Sequence, residues 1–332
     1  MTRQQLLQRL GLTAALAVMV PLVFLGCVGK PDPTKDPIWP ADHKGPKVVV
    51  SFAPLYCFAV TVAGDDAVVR NVMTTTGPHD FNPSANDVKL VTQADLFLTM
   101  GLELDERQAE MMKTGSGNDK LKVVTLGNLV PAKSLCEGYC THQNHAHNHK
   151  HPPDPHLWLS PDHSILLVNL IRDELKKADP AHAAGYDSRA ATYVKKLEAL
   201  KAEGVALLKD KKEKRVVTFH DSLAYFEKSF DVEIRGVLTV KPGQEPDEKA
   251  MKTLINVCGD ETKPTRVIAV EPQYSTSTSG ETLKKELTAK GVKDVVLVEF
   301  DTLETVKPDD LTPDWYERKM RANLKALADA LK

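Results

Sequence analysis

Five side chains able to hold a metal ion fall at corresponding places in this sequence. His79 lies in Gly77-Pro78-His79-Asp80-Phe81-Asn82-Pro83-Ser84 and His156 in Asp154-Pro155-His156-Leu157-Trp158-Leu159-Ser160-Pro161. His220 ends Val216-Val217-Thr218-Phe219, Glu271 ends Val267-Ile268-Ala269-Val270, and Asp301 ends Val296-Leu297-Val298-Glu299-Phe300. Three imidazoles with one carboxylate form a preferred zinc donor set. A second cluster is denser: of 11 His, six (His142, His145, His147, His149, His151 and His156) lie within fifteen residues. Alternating His in a flexible segment can hold a labile metal by weak, exchanging coordination. Catalytic use of the first set would need an open coordination position and a positioned general base. No His-Glu-x-x-His is present, which counts against an exported zinc-dependent hydrolase and leaves it the less favoured alternative. His43, His163 and His182 sit in no such motif and read as surface residues.

These groups can meet only if the chain brings several strand ends together. The length of 332 residues, with 42% hydrophobic and 27% charged, suits about two domains. Lys and Arg total 43 against 45 Asp and Glu, which removes the electrostatic reason to expect a nucleic acid partner. Short β-branched runs at 48–52, 68–73, 96–99 and 123–126 alternate with helical spacing at 55–62, 84–93 and 105–113. A second series has strands at 215–219, 233–239, 266–270 and 295–300 and helices at 278–290, with a Thr278/Glu281 capping box, and 316–331. Such alternation predicts an α/β fold of two lobes, each a mostly parallel sheet flanked by helices. Between them, Ser160-Pro161 opens a helix to about residue 177, and Asp179-Pro180 opens a segment to about 212. Tyr186, Ala190, Tyr193, Leu197, Leu200 and Leu207 recur there at helical intervals, predicting one long rigid helix of roughly 45 Å joining the lobes. In open α/β sheets, ligands bind beyond the carboxyl ends of strands. The five groups therefore point to the cleft, with Glu271 shaping it or orienting a ligand.

The N-terminus reads as an export signal. Arg3 and Arg9 precede an apolar run at 10–26, whose 17 residues contain Pro21 and fall short of the about 20 that span a bilayer. Phe24-Leu25-Gly26-Cys27 resembles a bacterial lipoprotein box, which would make Cys27 the lipidated first residue of the mature chain. Pro31, Pro33, Pro37, Pro40 and Pro46 follow among charges, the composition of an extended spacer. The expected division is a signal peptide at 1–26, a lipid-anchored linker at 27–46, an N-terminal lobe at 47–178 with a His-rich loop at 133–153, a linking helix at 179–212 and a C-terminal lobe at 213–332.

The four strings around His79, His156, His220 (Thr-Phe-His-Asp-Ser-Leu-Ala-Tyr-Phe) and Glu271 (Val-Glu-Pro-Gln-Tyr-Ser) resemble, in order and spacing, the zinc/manganese class of solute-binding proteins of ABC importers. The likeness runs from about Lys47 to Lys332. It implies a metal held by His79, His156, His220 and an acidic residue after the last strand, placed at Asp301. The usual Asp-Pro-Leu is Asp-Thr-Leu here, with Glu299 two residues earlier, so Asp301, Glu299 and water all stand as the fourth ligand. Three nitrogen donors suit Zn2+ over Mn2+, and a His-rich insertion such as His142, His145, His147, His149 and His151 marks the zinc-binding members of the class. The resemblance implies a monomer that captures zinc outside the cytoplasmic membrane and delivers it to a membrane permease and its ATPase. Manganese or iron binding is the alternative within the class. Cys136 and Cys140, at the edge of the loop in an exported protein, suggest a short disulfide or metal-assisting thiols. Cys57 and Cys258 read as buried and free.

Overall fold

The β-branched runs form two parallel four-stranded sheets with the same strand order. A computed structural model describes residues 38–137, 152–239, 244–274 and 277–332. The first sheet contains β1 (Lys47–Val50), β2 (Val68–Asn71), β3 (Leu96–Thr99) and β4 (Lys122–Thr125), in the order β2-β1-β3-β4. The second contains β5 (Arg215–His220), β6 (Glu233–Thr239), β7 (Val267–Val270) and β8 (Val296–Glu299), in the order β6-β5-β7-β8. The central strands bury side chains on both faces, as parallel sheets covered by helices must.

Helices α1 (Ala53–Ala63), α2 (Ala85–Thr92) and α3 (Glu106–Ser116) serve the first sheet. Then come α4 (Pro161–Ala178), α5 (Ala183–Leu208), α6 (Ala224–Phe230), α7 (Glu248–Cys258), α8 (Ser279–Ala289) and α9 (Trp315–Ala330). Local chemistry sets several of their starts. Ser84 and Asp87 close a reciprocal capping box on α2, and the Ser160 hydroxyl accepts the His163 N–H ahead of Pro161 on α4. The box expected from Thr278 and Glu281 does not form. Thr278 instead donates its N–H to Glu245 Oε1, and the Ser277 hydroxyl accepts the Ser279 N–H.

The linking helix is shorter than the 179–212 segment. Pro180–His182 forms a separate 3-10 turn after α4, and α5 then runs 26 residues, about 39 Å. Its buried face is Tyr186, Ala190, Tyr193, Leu197, Leu200, Gly204 and Leu208, whereas Leu207 is 45% exposed. Gly204 sets this phase, because a Cβ there would lie 2.4 Å from the Phe230 ring. One hydrophobic core runs from the first sheet through α1, α4 and α5 to Phe226, Phe300 and α9 in the second lobe. A smaller core, including Phe219, Leu254, Ile268 and Leu283, fills the outer face of the second sheet. Continuity of the larger core makes the two lobes one compact unit over residues 39–332. Among the described residues no helix is long and apolar enough to cross a membrane.

Candidate metal centre

The carboxyl ends of both sheets converge on four side chains. His220 is the last residue of β5, and its Nδ1 donates to Glu271 Oε1 at 2.5 Å just beyond β7. His156 opens the 3-10 turn Leu157–Leu159. Asp154 Oδ1 accepts both its backbone N–H at 2.8 Å and its Nδ1 proton at 2.6 Å. Asp154 is itself fixed, since its N–H donates to the Cys136 carbonyl at 2.9 Å and its carbonyl accepts the Tyr225 hydroxyl at 2.7 Å. With both Nδ1 atoms committed, the Nε2 atoms of His156 and His220 face each other 3.2 Å apart. His79 reaches them from the loop after β2, which Gln108 of α3 pins by donating to the Pro78 and Phe81 carbonyls at 3.4 Å.

The fourth group is Glu304, a buried residue in the loop after β8. Its Oε1 lies 3.2 Å from His220 Nε2, 3.4 Å from His156 Nε2 and 3.7 Å from His79 Nε2. Donor atoms of all four residues lie within 4.8 Å of one another. A tetrahedral ion with donors at about 2.0–2.1 Å has edges of about 3.3–3.4 Å between them, close to the three shortest spacings. Glu304 Oε1 is buried without a well-formed hydrogen bond, as an oxygen aimed at a cation would be. Of the expected residues, His79, His156 and His220 meet at this point, and Glu271 orients His220.

Asp301 does not. Its Oδ1 accepts the Leu303 N–H at 2.8 Å and its Oδ2 pairs with Lys319 at 2.8 Å, so both oxygens are spent within its own lobe. Glu299 is exposed at the end of β8. Glu304 was legible only as the second acid of Asp301-Thr302-Leu303-Glu304; nothing in residue spacing says which of the two turns inward. His163, expected on the surface, is half-buried between the Ser160 hydroxyl and the Ser134 carbonyl. Cys57 and Cys258 are buried free thiols as expected; Cys136, expected in a short disulfide or as a metal-assisting thiol, is also buried and free. Cys140, its expected disulfide partner, lies outside the described residues, as do Cys27 and His142, His145, His147, His149 and His151.

The ionisation of the four groups follows from burial and charge. Burial opposes protonation of His156, but Asp154 and Glu304 outweigh it and raise the pKa to about 9. Burial is likewise overridden at His220, which Glu271 and Glu304 push well above the ordinary imidazole value. Glu304 should rise on burial, yet His220, His156 and His79 hold it well below the usual carboxylate range. His79 shows the reverse balance, since burial lowers it to about 4 despite Glu304. The surrounding carboxylates thus raise the proton affinity of His156 and His220, whereas burial lowers that of His79. A divalent cation competes with protons for the same Nε2 lone pairs.

Two parallel α/β lobes sharing one core, with three imidazoles and a buried carboxylate between them, match the architecture of the metal-binding solute-binding class. The chain belongs to the family described as zinc-uptake complex component A, periplasmic, which matches residues 48–330. The zinc-binding protein AdcA of Streptococcus pyogenes serotype M3 is 33% identical over 297 residues, which cover 85% of this chain and 55% of that protein. This chain thus spans about half the length of that relative. The solute-binding protein FpvC of Pseudomonas aeruginosa, solved with Mn2+, is 28% identical with a TM-score of 0.72, covering 86% of this chain and 97% of FpvC. A Zn(II)-bound mutant variant of AdcAII from Streptococcus pneumoniae is 27% identical with a TM-score of 0.70, covering 87% of this chain and 99% of that one.

Proposed function

We propose that this protein captures Zn2+ outside the cytoplasmic membrane and delivers it to the permease and ATPase of an ABC importer, with His79, His156, His220 and Glu304 as the four ligands. The observation that carries this reading is the spacing of Glu304 Oε1 and the imidazole Nε2 atoms, 3.2–3.7 Å, which suits a small tetrahedral cation. Three nitrogens and one oxygen favour zinc over manganese, whose sites draw on more carboxylate. Four protein donors leave a tetrahedral ion no open position for water, so binding and delivery are favoured over hydrolysis. Since the lobes share a core, metal leaves by movement of loops or a small shift of one lobe rather than by a wide hinge. Cys27 is the lipid attachment site that tethers the monomeric protein to the membrane. His142, His145, His147, His149 and His151 collect zinc for the cleft.

Metal analysis of the protein purified without chelator, followed by competition between Zn2+ and Mn2+, tests the reading. One zinc per chain that excess Mn2+ does not displace is expected. No tight zinc, or preferential Mn2+ retention, overturns it.

A further inference from the structure

The loop that carries Glu304 is shaped by the carboxylate three residues before it. Asp301 is buried, and its Oδ1 accepts the Leu303 N–H at 2.8 Å. A carboxylate accepting from the backbone two residues on closes an Asx turn. The Asp301 backbone is held as well: Asn323 of α9 accepts its N–H at 3.0 Å and donates to its carbonyl at 2.6 Å. Thr302 adds a tie to the other lobe, its carbonyl accepting the Trp158 indole N–H at 2.8 Å. Leu303 then adopts φ +64°, the left-handed region that non-glycine residues rarely occupy, with its side chain fully buried. Such a residue persists only where its surroundings over-determine it. Here the Asp301 acceptor supplies one constraint and the buried leucine the other. Immediately after that left-handed step, Glu304 faces the three imidazoles.

We propose that Asp301 is a positioning residue for the fourth metal donor: its Oδ1 holds the turn that aims Glu304 at the ion, while its contact with Lys319 only anchors the carboxylate. This rests on the metal-binding reading above and adds to it the group that makes Glu304 reach the ion. Charge at position 301 is not required for the turn, and an asparagine closes it equally well.

The test measures Zn2+ affinity by competition with a chromophoric chelator, and the visible spectrum of the Co2+-loaded protein, in Asp301→Ala, Asp301→Asn, Lys319→Met and Glu304→Ala. Asp301→Ala is expected to lose about 10–100-fold in affinity and to weaken the four-coordinate Co2+ bands as water replaces the carboxylate. Asp301→Asn and Lys319→Met are expected to stay within about threefold of the parent and to keep its spectrum. Wild-type affinity and spectrum in Asp301→Ala overturn the proposal, and so does an Asp301→Asn variant as impaired as Asp301→Ala. Should Asp301→Ala fail to fold, Asp301→Ser replaces it, since a hydroxyl closes such turns more weakly. A several-fold loss relative to Asp301→Asn supports the role, and equality overturns it. Retention of affinity in Glu304→Ala overturns the ligand assignment and this role together; loss in Glu304→Ala with none in Asp301→Ala overturns this role alone.

Discussion

His156 and His220 form one side of the centre and His79 the other, and the same imidazole chemistry is held in two different ways. On the inner side each ring is buried and its Nδ1 is fixed by a buried carboxylate, Asp154 or Glu271. On the outer side His79 rides on a loop, with its side chain 25% exposed and no carboxylate hydrogen-bonded to its Nδ1 among the described residues. Gly77 of that loop lies against Glu304, where a Cβ would come within 3.3 Å of the carboxylate. The difference implies a division of labour: a preorganised inner wall that sets affinity, and an outer ligand that closes on the ion last and leaves first.

Breaking the inner wall should have the largest effect. His220→Ala removes a ligand and leaves Glu271 buried without its partner, so zinc affinity is expected to fall on the order of a thousand-fold in chelator competition. His79→Ala is expected to cost less, roughly tenfold to a hundredfold, and chiefly in the dissociation rate followed by stopped-flow transfer to a chelator. Equal losses in the two variants would erase the distinction between the sides. Glu271→Gln and Asp154→Asn, which keep a hydrogen-bond acceptor but drop its charge, should each cost about tenfold by the same titration.

Proton linkage sharpens the contrast further. Zinc binding near neutral pH should release protons chiefly from the His156/His220 pair rather than from His79, measurable as the buffer dependence of the calorimetric heat. The metal-free protein carries the matching stability term. The folded pKa of His156, about 9, lies above its ordinary 6.5, so this contribution is fully present below 6.5 and is lost as pH rises through 9. Thermal unfolding with chelator present should therefore show a declining midpoint from about pH 6.5 to 9, a decline absent in the zinc-loaded protein. Smallest of all, deleting residues 142–151 should leave the affinity of the cleft unchanged and reduce only growth under zinc starvation.

Much of this arrangement was legible because parallel α/β folds put function at strand ends. His220 closes a run of β-branched residues, and His79 and His156 sit in proline-stiffened loops, so type and position agreed. The fourth donor was not legible. Asp301 and Glu304 are both acids after β8, and the choice between them depends on an Asx turn, a left-handed leucine and the Asn323 clamp from α9, contacts that no periodicity encodes. Helix phase failed in a similar way at Leu207 and Leu208, where a glycine packed on Phe230 decides which leucine is buried. The two parallel sheets and the long helix depended on patterns repeated over many residues and survived such local exceptions.

The most direct test of the centre is X-ray absorption at the zinc edge on stoichiometrically loaded protein, compared between the parent and Glu304→Ala. A four-coordinate zinc with three imidazoles and one oxygen at about 2.0–2.1 Å, altered in the variant, is expected. A six-coordinate or sulfur-ligated zinc, or a spectrum unchanged by Glu304→Ala, would contradict the assignment of His79, His156, His220 and Glu304.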